Sequence, residues 1–274
     1  MKKIAVIGLG IIGGSISGAL TTVGYVVDGF DKDEEVIARA IEFGFIRKKA
    51  ENLTEYDVVF IAVPPKATIE YLTQNRFKDN ALVTDICGIK EAIETAVYAK
   101  PRNYRYVGMH PMAGKETSGI SSASPTLFLH ANVIITLAPQ TQEDAIAELK
   151  EYIKAMRFGN IVECSAKTHD KKIAVTSQLA HIVSNAYVKS GEVKGCDGFT
   201  GGSFQDMTRI AGVDEAVWTP LYAYNRENII TELDGLIKNL AVYRDALVNK
   251  DDQKLSETLK EGRKIRETIR RPND

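Results

Sequence analysis

Short runs of β-branched and other apolar residues alternate with amphipathic stretches along the first half of the chain. The runs are KIAVIG from Lys3, YVVDGFD from Tyr25, DVVFIAV from Asp57, ALVTDI from Ala81, RYVGMH from Arg105 and NVIITLA from Asn132. Between them, EEVIARAIEFG, KATIEYLTQNRF and QEDAIAELKEYIKAM place apolar residues at helical spacing. Strands apolar on both sides and separated by helices predict a parallel sheet covered on both faces. NIVEC, ending at Cys164, closes this unit.

Beyond Cys164 the period changes. KTHDKKIAVTSQLAHIVSNAYVKSG reads as one long helix ended by Gly191. DEAVWTPLYAYNRENIITELDGLIKNLAVYRDALVNKD and QKLSETLKEGRKIRETI read as further amphipathic helices, and no strand run competes with them. The expected fold class is α/β: a doubly wound, mostly parallel sheet over residues 1–164, followed by an all-α domain over residues 165–274. The apolar helix faces outnumber what one thin layer covers, so a homodimer through the helical domain is expected.

Composition narrows the function. Of 274 residues, 44% are hydrophobic and 26% charged, and the net charge is -1. Such a chain has no long-range field to attract nucleic acid or an anionic membrane. Its three cysteines, Cys87, Cys164 and Cys196, show no CxxC and no ligand-like spacing, which fits a reducing cytoplasm and no metal site. The N-terminal MKKIAVIGLGIIGGSISGAL has two lysines and an apolar run like a signal peptide. Five glycines interrupt it and a further strand follows, so it is read as folded structure.

GLGIIG, residues Gly8, Leu9, Gly10, Ile11, Ile12 and Gly13, follows the first strand and opens a helix. In that context a GxGxxG is the Rossmann-type dinucleotide fingerprint. Gly8 permits the turn, Gly10 lets backbone approach a pyrophosphate, and Gly13 lets helix and sheet pack closely. Asp31 ends the second strand 18 residues after Gly13; a carboxylate there accepts ribose hydroxyls and repels a 2′-phosphate, which favours NAD. Lys32 beside it tempers that preference. Val63 and Pro64, at the end of the third strand run, fall beside the expected nicotinamide path or simply join a strand to a helix.

GMHPMAGKETSG, Gly108 to Gly119, sets one imidazole between small residues at a strand end. His110 there has the ordinary pKa range of a base at neutral pH. HPMAGKETSG resembles the signature of the prephenate/arogenate dehydrogenase family of tyrosine biosynthesis, and TDICGIK before it and GGSFQDMTRIA (Gly201 to Ala211) after it extend the match in the same order. The resemblance implies NAD-dependent oxidation and decarboxylation of prephenate, or of arogenate, with no metal. It implies His110 as base and Arg209 as the grip on a substrate carboxylate, unless Arg209 pairs with Asp206. Glu116 becomes a gate or an acidic partner, and His181 a contact to the substrate side chain.

Two positions depart from the family pattern. Gln178 stands where a histidine three residues before His181 is common, and Gly88 stands where a serine helper is common. Cys87 beside it is either near the nicotinamide or a buried inert thiol. Trp218, Tyr222, Tyr224 and Tyr243 are expected to pack helices. A β-hydroxyacid-type dehydrogenase needs a lysine and an asparagine four apart on the long helix, but Lys171 and Lys172 lead to Val175 and Thr176. A dinucleotide-sensing protein without turnover would need no His110 and Arg209 together.

Overall fold

The computed structural model describes residues 2–114 and 117–269. The chain divides into two compact units, residues 1–225 and 226–274. In the first, β1 (Ile4–Ile7), β2 (Val27–Phe30), β3 (Val58–Ile61), β4 (Leu82–Asp85) and β5 (Arg105–Tyr106) form a parallel sheet in the order β2-β1-β3-β4-β5. The first four strands lead into α1 (Ile11–Thr22), α2 (Glu34–Glu42), α3 (Pro65–Gln74) and α4 (Glu91–Tyr98).

β1, β3 and β4 are buried along their whole length, which is why they read as unbroken apolar runs. Alternate residues enter different cores. Val6, Val58 and Phe60 face one, with Ile16 of α1; Ala5, Ile7, Val59 and Ile61 face the other, with Leu72 of α3 and Ile93 of α4. The chain winds from β1 to β2 on one side and from β3 to β5 on the other. The loops after β1 and β3 therefore part at a topological switch point, where ligands of open α/β sheets bind.

RYVGMH, expected as one strand, is two. Arg105–Tyr106 forms β5 beside β4, whereas β6 (Gly108–Pro111) pairs antiparallel with β7 (Val133–Thr136). β8 (Ile161–Cys164) joins β7 in parallel to complete a second sheet, and α5 (Glu143–Ala155) connects them. The chain thus changes sheets at Val107, and His110 stands in an antiparallel strand, not at the end of a parallel one. Hydrophobic period reports which side chains are buried but not which strand they pair with. Gly108 allows the crossing: a Cβ there would lie 2.4 Å from Thr136 Oγ1 and 3.2 Å from Lys90 Cδ.

The long helix is α6 (Ala166–Ile173), a π-turn (Ala174–Gln178) and α7 (Leu179–Tyr187) in succession. Ser165 caps its start by accepting from the Thr168 N–H. α8 (Gly202–Thr208) and α9 (Glu215–Tyr224) follow, and all four helices belong to the same compact unit as the sheets. The change from α/β to all-α at residues 164–165 is thus a change of architecture, while the compact unit itself extends to Asn225.

The second unit is α10 (Arg226–Val248) and α11 (Asp252–Thr268), with Asp251 capping α11 by accepting from the Lys254 N–H. Ile237, Leu240, Leu247 and Val248 on α10 and Leu259 and Ile265 on α11 are all more than half exposed. Among the described residues no helix is long and apolar enough to cross a membrane.

Candidate active site

The glycine loop lies at the switch point. Gly8 has φ +88°, and a Cβ on it would meet Ala62 O at 2.3 Å; a Cβ on Gly13 would meet Gly8 O at 1.8 Å. Both glycines are demanded by the protein's own backbone. Gly10 differs, since a Cβ there would meet nothing within 4 Å. Its missing side chain leaves open space over the start of α1, which has no side-chain cap and no acidic residue in its first turn. Free N–H groups and the positive end of the helix dipole therefore face that space, an arrangement that fits a dinucleotide pyrophosphate.

Asp31 stands across the loop. Its Oδ2 accepts from the Leu9 N–H at 2.8 Å and its Oδ1 from the Asp33 N–H at 3.1 Å. The carboxylate is thereby fixed at the loop's edge with lone pairs remaining for ribose hydroxyls. Val63 packs its Cγ1 near Gly8, and exposed Pro64 caps α3. Both bland roles are thus filled, at the mouth of the same crevice.

A cavity of about 660 Å³ begins at Ile11 and Ile12 of the glycine loop and runs past His110 to His181, Arg209 and Trp218. Ile11 and Ile12 of the glycine loop thus line one space with His110, Gln178, His181 and Arg209. Gly88 lies beside His110, with the position of its absent Cβ 3.7 Å from His110 Nε2. Glu116 lies outside the described residues.

His110 is backed by residues that the sequence reading passed over. Its Nδ1 lies 2.8 Å from Nε2 of His169, and His169 Nδ1 lies 2.7 Å from Asp170 Oδ1. Asp170 in turn accepts from the backbone N–H groups of Lys90 and Glu91 at 2.8 and 2.9 Å. Behind them the buried Lys90 ammonium donates to Asp85 Oδ1 at 2.5 Å, and the Tyr106 hydroxyl donates to Asp85 Oδ2 at 2.6 Å. Asp85 and Lys90 are fully buried, so each makes the other's charge tolerable. Burial pushes the His110 pKa well down, and His169 and Lys90 push the same way. His169 is lowered too, by burial, with Asp170 opposing. Both imidazoles are therefore neutral at neutral pH.

THD at the start of the long helix and the flanking pair in DICGIK were visible in the sequence. Their importance was not, because His110 and His169 are 59 residues apart. The π-turn was likewise invisible. Twelve residues of uniform α-helix would separate His169 and His181 by about 120° around the axis; a wider turn of five residues removes most of that. His181 thus comes toward the side of the helix that carries His169 against His110, and His181 lines the cavity.

α7 also aims the GGSFQDMTRIA segment. His181 Nδ1 donates to Ile210 O at 3.0 Å, Ser184 Oγ to Met207 O at 2.7 Å and Asn185 Nδ2 to Ala211 O at 3.0 Å. Arg209 follows directly after α8 and is exposed at the cavity. Trp218 does more than pack helices: its ring lies over His181 with centroids 3.9 Å apart. Gln178, expected as a substrate contact, borders the cavity but is 2% exposed. Its Oε1 accepts from Asn225 Nδ2 at 2.6 Å, and that same Nδ2 donates to Asp170 O at 2.8 Å. Its carbonyl end is thus committed to holding α9 against the helix carrying His169. Cys87 is buried, its thiol pKa pushed up to about 12 by burial and Asp85, so it is an inert thiol at neutral pH.

Residues 16–161 match the family model for the prephenate dehydrogenase nucleotide-binding domain, and residues 165–261 match that for the prephenate dehydrogenase dimerization domain. The chain is 30% identical over 280 residues to a prephenate dehydrogenase of Bacillus subtilis, covering 96% of this chain and 74% of the relative. It is 30% identical over 297 residues to a cyclohexadienyl dehydrogenase of Zymomonas mobilis, covering 100% and 98%. The structure of the A. aeolicus prephenate dehydrogenase in complex with hydroxyphenyl propionate and NAD+ superposes with a TM-score of 0.85 at 27% identity, covering 98% of this chain and 99% of that one. A glycine loop and His110 on one cavity, in a chain matched along both halves, lead to one conclusion: the chain belongs to the prephenate dehydrogenase family.

Proposed function

We propose that the chain oxidises and decarboxylates prephenate to 4-hydroxyphenylpyruvate with NAD. The observation that carries this reading is the cavity joining the glycine loop to His110, whose Nε2 is left free because its Nδ1 faces His169. NAD, held by Gly8 to Gly13 and Asp31, supplies the hydride acceptor. His110 takes the proton of the ring hydroxyl, a contribution worth about 10²–10⁴ in rate. The resulting ketone is conjugated with the diene and acts as an electron sink. The ring carboxylate then leaves as CO2, its bonding pair enters the ring, and the oxygen becomes a phenoxide that takes the proton back.

Arg209 holds a substrate carboxylate, a charge-assisted contact worth about 1.5–3 kcal/mol. His181 meets the side chain, and Glu116 gates or pairs with this basic end. Arogenate stands as the second substrate: His181 spends its Nδ1 hydrogen on Ile210 O, so Nε2 is the ring nitrogen left to meet the substrate's amino or keto end. The exposed apolar stripes of α10 and α11 support a homodimer through the helical region, and the family model's description as a dimerization domain agrees with it. The unpaired cysteines fit a cytoplasmic enzyme.

NADH formation followed with prephenate and with arogenate, each with NAD and with NADP, tests the reading. Turnover with NAD and prephenate is expected to be fastest. No turnover of either substrate overturns it.

A further inference from the structure

We propose that His169 and Asp170 are positioning residues that fix the tautomer of His110 and keep the abstracted proton on it until the same oxygen takes it back. The proposal rests on the reading of His110 as base, and nothing in the family match assigns a role to either residue.

With both imidazoles neutral, the hydrogen bonds fix the tautomers. Asp170 can only accept at Oδ1, where it already accepts from the Lys90 N–H, so His169 donates to it through Nδ1. His169 Nε2 is then a bare acceptor, and the 2.8 Å contact with it requires a hydrogen on His110 Nδ1. His110 Nε2 is therefore the bare nitrogen, and it is the one beside Gly88 at the cavity. Each bond sets the next, from a carboxylate pinned by two backbone N–H groups to the nitrogen that meets substrate.

The proton balance gives this chain its second task. The O–H bond breaks to Nε2 as the ring carbon loses its hydride. When the C–CO2 bond breaks, its electron pair reaches the ring oxygen, which forms an O–H bond with the same Nε2 proton. No proton is gained or lost overall, so the base needs no outlet to solvent, only a way to bear charge briefly. His169 is 1% and Asp170 2% exposed, and the pair ends in backbone N–H groups that cannot carry a proton onward. The ordered His169 dipole and the Asp170 carboxylate stabilise the transient imidazolium in place, as the third member of a nucleophile–base–orienter triad does.

Two measurements test this. The chain has four histidines, so enzyme labelled with ¹⁵N-histidine gives a spectrum in which ring tautomers are assigned directly. His110 and His169 are expected as Nδ1–H forms. An Nε2–H form at His110 overturns the proposal whether or not the enzyme turns over, and turnover without the expected tautomer leaves the proposed function standing. The second measurement compares His169→Leu with His169→Gln, whose side-chain oxygen can replace Nε2 as acceptor. The Leu variant is expected to lose about 100-fold or more in kcat with KM for NAD and substrate within about threefold, and the Gln variant to recover at least about tenfold of it. A Leu variant within threefold of wild-type kcat, or a Gln variant no better than Leu, overturns the proposal. If the Leu variant fails to fold, the tautomer of the wild-type enzyme decides.

Discussion

A Cβ placed on Gly88 would stand 3.7 Å from His110 Nε2 and 3.6 Å from Leu221 Cδ2, both ordinary contacts. The position thus has room for a serine, the residue the family resemblance led us to expect there. A hydroxyl on that Cβ can come within hydrogen-bond reach of Nε2, the nitrogen proposed to meet the substrate hydroxyl. One added hydrogen bond is worth about 0.5–1.5 kcal/mol. Gly88→Ser is expected to raise kcat/KM for prephenate by about two- to tenfold, and Gly88→Ala to leave it near wild type. A serine variant slower than the alanine variant would show that this glycine is needed for its size.

The pH dependence follows from the direction in which His110 is shifted. The base must be neutral, and burial, His169 and Lys90 all lower its pKa. The acid limb of kcat/KM is therefore expected below the usual histidine value of about 6.5, with a flat profile from about pH 8 down to that value. Stability carries the same sign. The unfolded chain protonates these histidines first, so stability is at its full value above about pH 6.5 and falls as pH drops toward the lower folded values of His110 and His169. Thermal melts across pH 5 to 8 check this; a melting point that rises on acidification contradicts it.

The glycine loop separates binding from folding. Gly10→Ala adds a methyl where nothing in the protein lies within 4 Å. Stability is expected to stay within about 0.5 kcal/mol, while NAD affinity falls at least about tenfold because the methyl enters the pyrophosphate's space. Gly13→Ala drives its Cβ to 1.8 Å from Gly8 O, and an overpacking cost of about 1–3 kcal/mol outweighs the helical gain of about 1 kcal/mol. Denaturant melts and NAD titration of the two variants should therefore diverge. Equal NAD affinity in Gly10→Ala and wild type would remove Gly10 from the cofactor site.

These variants mark where sequence patterning was a sufficient guide. GLGIIG could be read because its glycine spacing lies within one strand–turn–helix unit, and β1, β3 and β4 could be read because two-sided burial writes itself as an apolar run. The helical half was legible for the same reason, its amphipathic period being a property of the local chain. RYVGMH misled because two strands in succession, belonging to different sheets, have the same apolar signature as one. The bond from Gln178 to Asn225 left no mark in the sequence because the two lie 47 residues apart.

The sequence by itself determined the glycine loop and the succession of strands and helices, since backbone geometry and burial period are local and leave their mark on neighbouring residues, while the likeness to a family signature singled out His110 as the candidate base. Only the tertiary structure decided what stands behind that histidine. The bonds from His110 to His169 and from Lys90 and Glu91 to Asp170 join segments 59 to 80 residues apart. The first depends on a change of sheet at Val107, and the place of His181 on the same helix depends on a π-turn, neither of which changes the hydrophobic period that a sequence displays.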